Sequence, residues 1–187
     1  QMQGSEDTAV FTQNSLRELI RKSCDFEKIR AHRAKLFACA YDINERHVKY
    51  FELKKLSDEE MTDAVLASAA IPHVYDPVEI EGHKFADGGI NDPSYGVKNS
   101  DVTPLSPLQD EGYDAIIVIH LREQETLDID HIGPTRLIHI YPSKPLEQIK
   151  GSGTMNFTRS AIRERFAMGY ADMYIALGKL LMSIIKE

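Results

Sequence analysis

The chain has 187 residues, 42% of them hydrophobic and 27% charged, with a net charge of −7. That is enough for one domain with its own hydrophobic core. The acidic balance speaks against a nucleic-acid partner, which would favour a basic face, and leaves no polybasic patch for anionic membranes.

Two cysteines, Cys24 and Cys39, make no disulfide framework. With no CxxC or HxxxH spacing, no metal is expected, and nothing implies another cofactor. No apolar run approaches the roughly 20 residues of a membrane-spanning helix. The opening residues 1–7 are polar, unlike a signal peptide, and need not be the native start. A reduced, cytoplasmic setting is the expectation.

In chain order, Thr12 is placed to cap a first helix, with Phe11 and Leu16 as a hydrophobic staple and Leu16, Leu19 and Ile20 as its buried stripe. Leu36 to Tyr41 is a nearly unbroken apolar run, as expected of a strand covered on both faces of a parallel sheet; Cys39 within it reads as a small core residue. After a polar turn at 42–46, residues 48–53 read as its hairpin partner. Ser57-Asp58-Glu59-Glu60 is a capping box, with Leu56 and Met61 as its staple. The helix it opens runs to Pro72, which cannot continue it.

Residues 78–85 suggest a small hairpin ending in Asp87-Gly88-Gly89, followed by a Pro-, Ser-, Asn- and Asp-rich stretch at 91–108. Residues 115–119 and 137–141 are again apolar runs of the parallel-strand kind. A long helix opens at Phe157-Thr158 and carries Ile162, Phe166, Tyr170, Met173, Leu177, Leu181 and Ile184. Its interior Gly169 and Gly178 each weaken it by about 1 kcal/mol relative to Ala, which suggests close packing or a bend. Helices interleaved with buried strands predict a single three-layer α/β/α domain, 1–187, with a mostly parallel sheet.

The chemistry concentrates at Asp87. A carboxylate held at a strand end, partly shielded from water, is basic enough to take a proton from a nearby hydroxyl. Gly88 and Gly89 tolerate positive φ and leave room for another backbone or a substrate. In isolation, Asp-Gly-Gly is most often an ordinary turn. Its setting changes that weighting: Ala67-Ser68-Ala69-Ala70-Ile71-Pro72 precedes it, then the short hairpin, then the turn.

That order and spacing resemble the second half of the active site in patatin-like acyl hydrolases, a family of serine lipases and phospholipases. Asp101-Val102-Thr103-Pro104-Leu105, Gly112-Tyr113-Asp114 before the strand at 115–119, and Gly169-Tyr170-Ala171-Asp172 extend the likeness over nearly all of the chain. The segment 91–100 looks like an insertion, either a surface loop or a lid over the acyl-binding groove. The resemblance implies a Ser–Asp dyad with Asp87 as general base and Gly88 and Gly89 shaping the turn. It further implies a lipid or other acyl-ester substrate, peripheral contact with a membrane, and no metal or organic cofactor.

The nucleophile that such a dyad needs sits in a G-x-S-x-G elbow, and no such pattern occurs in the 187 residues. Gly151-Ser152-Gly153 reads as a loop, and Ser68 as a packing residue at a helix end. His120 and His139 lie on strands and read as core or rim residues. The expectation is the C-terminal portion of a patatin-like hydrolase, inert alone, its partner being the N-terminal half of the same protein. A non-catalytic truncated module for lipid binding or assembly is the alternative. A flavodoxin- or Rossmann-type binding domain would require a Gly-rich phosphate loop after the first strand, and none is visible.

Overall fold

The computed structural model describes residues 13–92, 97–99, 101–122, 129–146 and 158–185. The chain divides into two compact units, Gln1–Pro107 and Leu108–Glu187.

In the first unit the elements run α1 (Asn14–Ser23), α2 (Phe26–Ala31), β1 (Phe37–Asp42), β2 (His47–Glu52), a 3-10 turn (Leu53–Lys55), α3 (Asp58–Ser68), β3 (Val78–Ile80) and β4 (His83–Asp87). The sheet has the order β2-β1-β4-β3, and every neighbouring pair is antiparallel. This departs from the mostly parallel sheet expected around β1. The 42–46 turn is too short to be a crossover, so it can only return β2 alongside β1 in the opposite direction. The burial expectation for Leu36 to Tyr41 holds only in part: Ala38, Ala40 and Tyr41 are buried, Phe37 and Cys39 half-buried, and Leu36 exposed.

Small side chains bring α3 onto the sheet. Ala64 and Ala67 on the helix, with Ala70 just beyond it, join Ala38 and Ala40 of β1 and Phe85 of β4 in one buried cluster. Phe51 meets Phe85 edge to face, with ring centroids 5.4 Å apart. The capping box forms as expected: Glu60 N–H donates to Ser57 Oγ at 3.4 Å, and Ser57 N–H donates to Glu60 Oε2 at 2.8 Å. On α1, Ile20 is buried but Leu19 is 58% exposed, so the stripe is narrower than its periodicity predicts. Thr12 and Phe11 lie outside the described residues, and Gln13 stands at the N-cap without a side-chain cap bond. Arg17 of α1 instead ties the helix to α3 through Asp63 at 2.6 Å.

The β1–β2 turn is organised by Asp42. Its Oδ1 accepts the N–H groups of Asn44 and Glu45, each at 2.9 Å, and its Oδ2 accepts Nδ1–H of His83 at 2.7 Å. Burial raises its pKa, but the Glu45 N–H, His83 and the Asn44 N–H outweigh it and hold the carboxyl below the usual range. A depressed folded pKa adds stability above the unfolded value and loses it as pH falls through the folded one. Asp42→Ala orphans three donors and should cost about 2–4 kcal/mol in urea unfolding at pH 7. The gap from wild type should narrow in acid; a constant gap would mean that the carboxylate's charge contributes nothing.

The second unit comprises β5 (Ala115–Ile119), β6 (His131–Ile132), β7 (Thr135–Ile140) and α4 (Arg159–Ile184), with a sheet of order β5-β7-β6. Here β5 and β7 pair in parallel, from Ala115 opposite Arg136 to Ile119 opposite Ile140. Burial on β5 alternates: Ile116 and Val118 are buried, whereas Ile117 and Ile119 are 46% and 68% exposed. The apolar run therefore has one covered face, not two. Thr158 opens α4, accepting Ile162 N–H on its carbonyl at 3.0 Å. The helix continues unbroken through Gly169 and Gly178. A Cβ at either glycine would meet nothing within 4 Å, so neither marks the close packing expected of it. Phe166 and Tyr170 are exposed. Among the described residues, no helix is long and apolar enough to cross a membrane.

Candidate active site

Strand β4 delivers Asp87. The hairpin that launches it turns through Glu81 and Gly82, both at positive φ as a two-residue type I′ turn requires. That geometry sets Val78 opposite Phe85 and Ile80 opposite His83. Phe85 and Ala86 are then buried, and Asp87 ends the strand opposite Ala40 of β1. Its N–H donates to Ala70 O at 3.0 Å. The Ser68-Ala69-Ala70-Ile71-Pro72 segment is thus the backbone anchor of the aspartate. Ser68, the last residue of α3, is partly buried, in keeping with a packing role.

The carboxylate is half-buried. Oδ1 accepts the N–H of Gly89 at 2.8 Å, closing the turn on itself. Among the described residues, Oδ2 has no hydrogen-bond partner, so one oxygen is restrained and the other is open to accept a proton. Burial pushes the Asp87 pKa above the ordinary carboxylate value, and the Gly89 N–H opposes that rise only in part. The effect is a stronger base than a solvent-exposed aspartate.

Gly88 is buried, and the reason for glycine there is contact. A Cβ at this position would lie 2.5 Å from both the carbonyl oxygen and Sγ of Cys39. Cys39 is accordingly not the inert core residue its apolar setting suggested: it is the half-buried surface against which the turn is pressed. Burial, with the nearby charges of Asp101 and Asp87, pushes its thiol up to about 11. Both cysteines are free.

A network that the motif alone does not announce holds the far side of the turn. Asn99, 6% exposed, donates from Nδ2 to Gly88 O at 2.7 Å, while its Oδ1 accepts Asp101 N–H at 2.8 Å. Its own N–H donates to Asn91 Oδ1 at 3.3 Å. Asp101 in turn accepts the hydroxyls of Tyr50 and Ser106 on Oδ2. Burial and the Asp101 hydrogen bond push the Tyr50 phenol pKa up, so it stays a donor at neutral pH. The signal for this network was the Asn-x-Asp pair inside the polar stretch after the turn, together with the cross-strand pairing of Cys39 and Tyr50. Of the expected insertion, residues 93–96 and 100 lie outside the described residues, but Val97 and Asn99 are buried.

This arrangement can accept a proton at Asp87 Oδ2 and keep the aspartate from swinging. Among the described residues, no serine hydroxyl bonds to Asp87, and no group of three or more His, Cys, Asp or Glu side chains is placed to hold a metal. Ser152 lies outside the described residues. His120 and His139 belong to the second unit, where His120 Nε2 and His139 Nδ1 lie 2.8 Å apart.

The family model described as Patatin-like phospholipase matches residues 2–94, a span that includes α3, the Ser-Ala-Ala-Ile-Pro segment and the Asp87-Gly88-Gly89 turn. Among curated proteins, none matches the chain.

Proposed function

Over residues 2–94 the chain belongs to the patatin-like phospholipase family, a family of lipid acyl hydrolases, and from that premise we propose that it supplies the general base of a Ser–Asp dyad. Asp87 Oδ2 takes the proton of a serine hydroxyl as that oxygen attacks the acyl carbonyl. Asp87 hands that proton to the departing alcohol oxygen, is again ionised, and then takes a proton from the water that attacks the acyl-enzyme, returning it to the serine oxygen as the acid leaves. The supporting observation is the carboxylate itself: half-buried, raised in basicity, fixed through Oδ1 and open at Oδ2.

The serine comes from residues outside this sequence, because no G-x-S-x-G pattern lies within it. The same reading holds that the antiparallel and mixed sheets belong to a larger three-layer α/β/α domain with a parallel centre. The substrate is a lipid or other acyl ester met at a membrane surface, and the setting is cytoplasmic. A non-catalytic module for lipid binding or assembly is the rival; it leaves unexplained why Asp87 is restrained on one oxygen and open on the other.

The test is hydrolysis of a short-chain p-nitrophenyl ester. The 187-residue chain should be inactive, and the product of the gene's entire coding region should be active, with an elbow serine encoded upstream. A coding region with no such elbow, and an inactive product, would establish the rival.

A further inference from the structure

Asp87 opens a β-turn that is closed by Ile90 N–H donating to Asp87 O at 3.2 Å. The central peptide of that turn joins Gly88 to Gly89. This one peptide unit is held at both ends. Its N–H, from Gly89, donates to Asp87 Oδ1 at 2.8 Å, and its carbonyl, from Gly88, accepts Asn99 Nδ2–H at 2.7 Å. Neither glycine has a positive φ, as in a type I turn. Turning the central peptide over converts type I into type II. That needs a positive φ at the third residue of the turn, here Gly89, and glycine adopts it without steric cost. A Gly-Gly turn thus has two accessible orientations, and in the second its N–H points away from the aspartate.

Asn99 is placed to choose between them. It is buried, its Oδ1 accepts Asp101 N–H at 2.8 Å, and its own N–H donates to Asn91 Oδ1 at 3.3 Å. Asp101 in turn is tied through Oδ2 to the hydroxyls of Tyr50 on β2 and of Ser106. Val97 and Leu105 are buried on either side. The asparagine is therefore fixed by bonds that do not involve Asp87. We propose that Asn99 is a positioning residue for ester hydrolysis: by holding Gly88 O it locks the central peptide with Gly89 N–H aimed at Asp87 Oδ1, which leaves Oδ2 for the serine proton. The inference rests on the Ser–Asp reading, because Asn99 acts only through Asp87.

The product of the entire coding region and its Asn99→Ala variant, compared on a p-nitrophenyl ester, test this. In the variant kcat should fall about five- to tenfold, the population ratio that one hydrogen bond supplies, with KM changed by less than about twofold. The acid-side midpoint of kcat/KM should move up. Gly89 N–H lowers the Asp87 pKa against the effect of burial, so a turn that loses this donor leaves burial unopposed. Cys39 and Asp101, the other titratable groups beside the turn, are the same in both proteins. In an Asp87→Asn background, Asn99→Ala should cost less than about twofold, because the base it positions is already gone. Should Asn99→Ala fail to fold, Tyr50→Phe with Ser106→Ala is read instead. It leaves Asn99 in place, loosens only Asp101, and should give the same upward midpoint with about a threefold loss of kcat. An unmoved midpoint, or an undiminished cost of Asn99→Ala in the Asp87→Asn background, would overturn the lock. Asp87→Asn at the wild-type rate would overturn the dyad reading beneath it. A slow Asp87→Asn beside Asn99→Ala at the wild-type kcat would overturn this inference alone.

Discussion

In the product of the entire coding region, Asp87→Asn should lower ester hydrolysis by about a hundred- to ten-thousand-fold, the usual contribution of a positioned general base. The same substitution should raise thermal stability at neutral pH. Burial lifts the folded pKa of Asp87 above its ordinary 3.8, so the native state prefers the protonated, uncharged form. At any pH above the folded value, the ionised carboxylate costs stability that asparagine does not. The gain should therefore be present at pH 7, shrink as pH falls through the folded value, and vanish below 3.8. Asparagine keeps an oxygen for the Gly89 N–H, so the turn survives. A stabilised, correctly folded, inactive variant separates a catalytic carboxylate from a structural one, because loss of a structural aspartate lowers stability. The pH profile of kcat/KM should fall on the acid side, with its midpoint above the ordinary carboxylate value.

The second large effect is expected at Gly88. An alanine there would put its Cβ 2.5 Å from two atoms of Cys39. The thiol can rotate away, but the carbonyl oxygen belongs to β1, which is hydrogen-bonded on both sides to β2 and β4. Relief must then come from moving the turn itself, away from Ala70 O and Asn99. Gly88→Ala should cost about 1–3 kcal/mol, the range for overpacking a filled site, and displace Asp87 enough to lower kcat. Combining it with Cys39→Ala removes the sulfur clash and leaves the carbonyl clash, so stability should recover in part only. Full recovery would locate the constraint in the thiol alone. Gly89→Ala is milder, since its Cβ would meet only Asp87 Oδ1, at 3.1 Å.

Much of this was legible from residue patterns because the signals are local. The capping box at Ser57 and Glu60, the hairpin turns at 42–46 and at Glu81-Gly82, and the placement of Asp87 at a strand end each depend on a few neighbouring residues. What could not be read were properties set by pairing across the chain. Leu36 to Tyr41 looks like a parallel strand because it is apolar throughout. Whether its neighbours run parallel or antiparallel is decided by connection length and by where β4 returns, not by its own composition. The same apolar signature at 115–119 belongs to a strand with an exposed face, since hydrophobic content does not say how many faces are covered. Leu19 fits the helical period of α1 yet is exposed, while Ile20 and Leu16 meet the core.

At the site, Asp87, Gly88 and Gly89 were identifiable as a motif, but the reason for each was not. Gly88 is glycine because of Cys39, about fifty residues away in the chain, rather than because of its φ. Beyond the Asn-x-Asp spacing at 99–101, no motif announces the joining of Asn99 and Asp101 with Tyr50 and Ser106. They converge only once β2 and the segment after the turn are brought together, and a buried asparagine bridging Gly88 O and Asp101 N–H is visible only in three dimensions.

The central claim is that Asp87 serves a serine outside these 187 residues. Labelling the product of the entire coding region with a fluorophosphonate, and mapping the adduct by mass spectrometry, tests it most directly. The claim predicts one modified serine upstream of residue 1, within a G-x-S-x-G elbow, with labelling lost or strongly slowed in the Asp87→Asn variant. An adduct on any serine within the 187 residues, or labelling at an undiminished rate in the Asp87→Asn variant, would contradict it.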